Sequence, residues 1–221
     1  MSRQVHELFP DPRVIVLTAR IDERAIATLS ERERAATGRM REKRLREYAA
    51  GRALARDALE RFFGVRGFDL LNGEDRAPIW PDGIAGSLSH CDTRAWVALV
   101  EASWGTIGID GEHRAGLERH LWEHTMLPEE IADLDARPPE ARGLAALARF
   151  SAKEALYKAQ YPRSRTFMGF HALHVALERQ DALRCTFQET VGPFAEGFVA
   201  EGRWRASETG ELLSAVWIPR A

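Results

Sequence analysis

The chain has 221 residues, 45% apolar and 29% charged, with a formal net charge of −2. That composition suits a folded globular protein, and the near balance of charge excludes a nucleic-acid binder that works through bulk electrostatics. Two lone cysteines, no leader pattern in Met1 to Pro10 and no apolar run of about 18 residues argue against a disulfide framework, a zinc site or a membrane span, so a cytoplasmic protein is expected.

Arg13 to Ala19 reads as a buried strand. Ser30 predicts a helix start, with Glu33 in capping-box spacing. A long helix is expected from about Arg39 to Phe63, closed by Gly64. Residues 72–84 read as loop. Ala95–Val100 and Thr106–Asp110 read as strands around a turn at Ser103-Trp104-Gly105. Helical patterns follow near Leu117–Trp122, after Pro128, and from Ala141 to Gln160. Leu173–Leu177, Leu183–Phe187, Gly197–Ala200 and Leu212–Ile218 read as strands. The order strand, helices, strand occurs twice. It suggests an α+β fold of two similar halves, 1–103 and 104–221, although no residue-level repeat stands out.

Charges occupy slots where apolar residues are due. In the first long helix, Leu45, Tyr48, Arg52, Ala55, Leu59 and Phe62 step by three and four, and Arg52 interrupts the stripe. It is either a paired structural charge or a group reaching toward an anion, with Arg44 two turns earlier able to join it. In the later helix, Leu147, Phe150, Glu154 and Tyr157 repeat the pattern, and Glu154 takes an apolar slot with Lys158 four residues on. Alone, that pair reads as a surface ion pair. Asp110 and Glu112 stand two apart in an extended segment, so both leave one face. Two carboxylates at the end of a buried strand repel and call for a cation or a proton. Hard oxygen ligands with room for water suit Mg²⁺, and Gly111 leaves that room. The competing reading is a loop whose acids cap the next helix. His90, at the end of Ser87-Leu88-Ser89-His90, is of a type that donates to phosphate.

Taken together, these segments resemble the Sfp-type 4′-phosphopantetheinyl transferases, including those serving siderophore, polyketide and peptide assembly. The matching motifs are Trp80-Pro81-Asp82-Gly83 with Ser87 to His90, Gly108-Ile109-Asp110-Gly111-Glu112, and Phe150 to Lys158. Gly51-Arg52-Ala53-Leu54-Ala55-Arg56 resembles the family's arginine-bearing helix. The resemblance runs from about Arg44 to Phe170. It implies two α/β halves packed as an intramolecular pseudo-dimer, with coenzyme A as substrate. It implies Asp110, Glu112 and Glu154 as Mg²⁺ ligands, and Glu154 and Lys158 as catalytic residues. Lys153 and Lys158 match lysines near the pyrophosphate. Ser89 and His90 match phosphate contacts, and Arg52 a 3′-phosphate contact. Arg44 and Arg76 are further candidate contacts, Arg76 as a substitute for a lysine found in relatives. Gly111 departs from relatives that carry a carboxylate there.

The implied reaction moves 4′-phosphopantetheine onto a serine of an acyl or peptidyl carrier protein. Arg39 to Arg44 and Arg163 to Arg165 are candidate basic patches for that acidic partner, weighed against plain solvated surface. A monomer is expected, with neither nucleic acid nor membrane as partner. Two rivals stay open: another Mg²⁺-dependent phosphotransfer enzyme, and a non-catalytic coenzyme A or nucleotide-binding module.

Overall fold

A computed structural model describes residues 3–5, 8–9, 11–113, 115–208 and 210–220. The chain divides into two compact units, Met1–Gly105 and Thr106–Ala221. The fold is α+β, and among the described residues no helix is long and apolar enough to cross a membrane.

The first unit contains β1 (Arg3–Val5), β2 (Ile15–Arg20), α1 (Arg24–Ala27), α2 (Glu31–Ala35), α3 (Glu42–Phe63), β3 (Ile84–His90) and β4 (Arg94–Glu101). Its sheet runs in the order β1-β2-β4-β3, every neighbour antiparallel. The capping box at α2 forms in full: Glu33 N–H donates to Ser30 Oγ and Ser30 N–H to Glu33 Oε2, both at 3.1 Å. Helix α3 starts at Glu42 rather than Arg39, after Gly38 turns the chain through a φ of 51°. Gly64 ends it at a φ of 68°, a conformation that costs a glycine little. The alanine-rich face of α3 (Ala49, Ala50, Ala58, with Leu54 and Leu59) packs on Leu17, Val97 and Leu99 of the sheet. Strand β3 follows the expected loop and takes up residues to which the sequence gives no strand. Glycine and serine there disfavour a strand, but pairing from Ile84↔Glu101 to His90↔Ala95 overrides local preference.

The second unit contains β5 (Gly105–His113), a 3₁₀ turn at Arg119–Leu121, α4 (Trp122–Thr125), α5 (Pro128–Ala136), α6 (Pro139–Ser164), β6 (Leu173–Leu177), β7 (Ala182–Phe187), β8 (Val199–Ala206) and β9 (Glu211–Pro219). Its sheet order is β5-β9-β8-β7-β6. Helix α6 lies on this sheet, with Ala152, Ala155, Leu156 and Ala159 meeting Val175, Cys185, Val216 and Ile218 in the core.

A residue-level repeat is present after all, and hydrogen bonds reveal it. In the first unit Arg56 of α3 pairs with Glu33 across 23 positions and donates to the Thr28 carbonyl across 28. In the second, Lys153 of α6 pairs with Glu130 across 23 and donates to the Thr125 carbonyl across 28. Glu33 accepts the Leu70 N–H at 3.2 Å; Glu130 accepts the Val175 N–H at 2.7 Å. One turn before each cation, Arg52 Nε donates to the Leu70 carbonyl at 3.1 Å and Arg149 Nε to the Val175 carbonyl at 3.0 Å. Each unit therefore ties a short helix, its long helix and the segment that follows with one buried acid and two bases. The sequence carries this as Ala55-Arg56-Asp57-Ala58-Leu59 against Ala152-Lys153-Glu154-Ala155-Leu156.

Candidate active site

Strand β5 and helix α6 touch with nothing between them. A Cβ on Gly108 would sit 1.8 Å from the Ala155 carbonyl oxygen and 2.7 Å from Ala159 N. Only glycine permits that approach, and it fixes which face of β5 meets the helix. Asp110 and Glu112, two and four residues on, leave by the same face. Lys158 of α6 reaches back, its Nζ donating to Asp110 Oδ1 at 2.7 Å and to the Ile109 carbonyl at 3.0 Å. Ser151 Oγ donates to the Asp110 carbonyl at 3.1 Å. Glu154, one turn before Lys158, lines a largely apolar cavity of about 190 Å³ with Tyr157, Phe167 and Met168.

The charges are crowded. Burial first, and then the Asp110 and Glu154 carboxylates, push Glu112 up to about 7 against the pull of Lys158. Burial raises Glu154 too, helped by Asp110 and opposed by Lys158. Among the described residues three carboxylates thus stand around the Lys158 ammonium, an arrangement that welcomes a divalent cation. The donors are all hard oxygens, which fits Mg²⁺. As the side chains stand, no three His, Cys, Asp or Glu are gathered as a metal site among the described residues.

Lys153 corrects an expectation. It is 1% exposed, its partner Glu130 0%. Its three N–H groups serve Glu130 Oε2 at 2.6 Å, the Thr125 carbonyl at 2.9 Å and the Phe170 carbonyl at 3.1 Å. An ammonium has three donors, so none is left for a pyrophosphate. Its counterpart Arg56 does the same structural work in the first unit.

Arg52 is narrowed rather than replaced. It is buried over the Tyr48 ring at 3.9 Å, with Nε on the Leu70 carbonyl and Nη2 on Asn72 Oδ1 at 2.5 Å. Burial pulls its proton affinity down. Its first duty is structural, as the match with Arg149 shows, and only the remaining N–H groups of its terminal nitrogens are left to meet an anion.

His90 closes β3, where Arg44 Nη1 contacts its Nε2. Glu47, which the sequence reading passed over, stands behind both. Its Oε2 lies 3.4 Å from Arg44 Nη1 and 3.6 Å from His90 Nδ1. The available signal was its position three residues after Arg44, on the same helical side. Ser89 is buried one residue before His90. Arg76 is exposed, at a φ of 66° in the turn closed by Gly73 N–H on the Ala77 carbonyl at 2.9 Å. Arg44, Glu47 and His90 belong to the first unit; Asp110, Glu112, Glu154 and Lys158 belong to the second.

Residues 32–100 match the 4′-phosphopantetheinyl transferase N-terminal domain, and residues 106–208 the 4′-phosphopantetheinyl transferase superfamily. The chain is 36% identical over 201 residues to 4′-phosphopantetheinyl transferase Svp of Streptomyces mobaraensis, covering 86% of this chain and 79% of that one. It is 36% identical over 137 residues to 4′-phosphopantetheinyl transferase PptT of Mycobacterium tuberculosis, covering 62% and 60%. Enterobactin synthase component D of Salmonella typhimurium is 38% identical over 162 residues, covering 66% and 64%. The last two alignments span just under two thirds of those relatives. The chain belongs to the 4′-phosphopantetheinyl transferase superfamily.

Proposed function

We infer that this enzyme transfers 4′-phosphopantetheine from coenzyme A to a serine of an acyl or peptidyl carrier protein and releases adenosine 3′,5′-bisphosphate. The observation that carries the reading is the convergence of Asp110, Glu112, Glu154 and Lys158 where β5 meets α6, in a chain of this family. Asp110, Glu112 and Glu154 would hold Mg²⁺, which supplies positive charge where phosphate charge builds.

The protein groups then divide the remaining work. Glu154 takes the proton of the serine hydroxyl, directly or through a water. Its burial raises its affinity for that proton toward working pH, as a general base requires. The serine oxygen bonds to the phosphorus on the pantetheine side, and the bond to the bridging oxygen breaks. Lys158 offers an ammonium to the leaving phosphate. Arg44 and His90 receive a phosphate at the nucleotide end, with Ser89 and Arg76 as further contacts. The pseudo-dimer of halves is part of the proposal; its support is the clamp repeated within each unit. The Arg39–Arg44 and Arg163–Arg165 stretches are the proposed surfaces for an acidic carrier.

The test is a mass measurement. An apo carrier incubated with this protein, coenzyme A and Mg²⁺ should gain the phosphopantetheine mass, and chelation of the metal should stop it. Glu154→Ala should slow transfer by roughly 10²–10³-fold or more with the fold intact by circular dichroism. No gain on a broad panel of carriers would overturn the reading.

A further inference from the structure

Where α3 passes the end of β3, Arg44 and His90 are 49% and 32% exposed, while Glu47 is only 10% exposed. The first two can receive an anion; Glu47 lies behind them. A guanidinium only donates, so the contact from Arg44 makes His90 Nε2 an acceptor. The ring proton is then on Nδ1, the nitrogen nearest Glu47.

A phosphate at this pair asks both groups to donate. Arg44 can turn an N–H to it at once. His90 Nε2 can donate only after gaining a proton, because Nδ1 keeps its own. The Arg44 charge opposes that second proton, whereas the Glu47 carboxylate and the phosphate favour it. Lys43, next to Arg44, is already compensated by its ion pair with Asp92. The acid behind the ring therefore decides whether His90 can serve as a donor.

We propose that Glu47 is a positioning residue for phosphate binding: it orients the imidazole and secures the proton that lets His90 Nε2 donate to the ligand. The proposal rests on Arg44 and His90 being the phosphate contacts named above. One proton moves from solvent to Nε2, and no bond to phosphorus is made or broken.

Calorimetric titration of the full chain with adenosine 3′,5′-bisphosphate tests it. The titration is run at pH 8 without metal, in two buffers of different ionisation heat, so that the buffer dependence counts protons taken up. Both phosphates are then dianions, so uptake reports the protein. Wild type should take up a substantial fraction of a proton per nucleotide bound, and His90→Asn should lose that fraction. Glu47→Gln should lose it too and bind roughly tenfold more weakly, the scale of one charge-assisted contact. Glu47→Asp, which keeps the charge, should recover part of the uptake. A purely structural Glu47 would shift the melting temperature in both variants and leave the proton count per bound nucleotide as in wild type, which overturns the proposal. Unchanged affinity in Arg44→Ala and His90→Asn would instead overturn the reading beneath it.

Discussion

At Glu112, burial first and the neighbouring carboxylates second raise the proton affinity of the side chain. Its folded-state pKa, about 7, lies above its ordinary 4.5. The folded protein therefore binds this proton more tightly than the unfolded chain does. The resulting stability is complete below about 4.5 and fades as pH rises through about 7. Metal-free protein should melt at falling temperature across that window, and Mg²⁺ should raise the melting temperature more at pH 8 than at pH 5. Thermal scans with and without metal check this, and an equal Mg²⁺ effect at both pH values counts against Glu112 as a ligand. Asp110, Glu112 and Glu154 stood out in the sequence because each charge fell in an apolar slot or at the end of a buried strand, and Lys158 because it follows Glu154 by one helical turn. Lys153 stood in no such slot. Its place in a motif suggested a ligand contact, and what it pairs with, Glu130, lies 23 residues away. No spacing rule reads that distance.

At the scale of elements, the β5–α6 contact sets the site. Gly108→Ala forces a methyl to 1.8 Å from a helix carbonyl, so helix or strand must shift. Overpacking of this kind costs about 1–3 kcal/mol and separates Lys158 from Asp110. The expected result is a lower urea midpoint together with transfer reduced at least tenfold, measured on the same preparation. Full activity in the alanine variant would show that the close approach does not govern the site. The long helices and most strands were legible from periodicity and capping. Strand β3 was not: its Gly86-Ser87 core lacks strand-forming residues, and only the partner strand Arg94–Glu101 holds it in register. The start of α3 was placed three residues early, because Arg41 takes extended backbone as the N-cap (ψ 153°) within an otherwise helix-favouring stretch.

Across the whole molecule the most telling feature is the clamp that occurs once in each unit. Neutralising Glu130 strands the buried Lys153, a loss of about 3–5 kcal/mol, while neutralising Glu33 strands Arg56, which is 22% exposed, and costs less. Glu33→Gln should expose the amides of β2 and β4 to hydrogen exchange and spare β6 and β7; Glu130→Gln should do the reverse. Each sheet closes within its own unit, which is why the effects should separate. Uniform loss of protection in both variants would argue that the units unfold as one. The repeat escaped the sequence reading because its surviving identities are few and its shared chemistry is acid, arginine and lysine, types that vary freely on most surfaces. Two clamps of one spacing also give a refolding chain a choice of mates. Glu33 can be captured by Lys153, and Glu130 by Arg56, before either half is complete. Crossed pairing would add a slow, salt-sensitive phase to refolding from urea that vanishes when one acid is removed, and single-exponential refolding at low salt would exclude it.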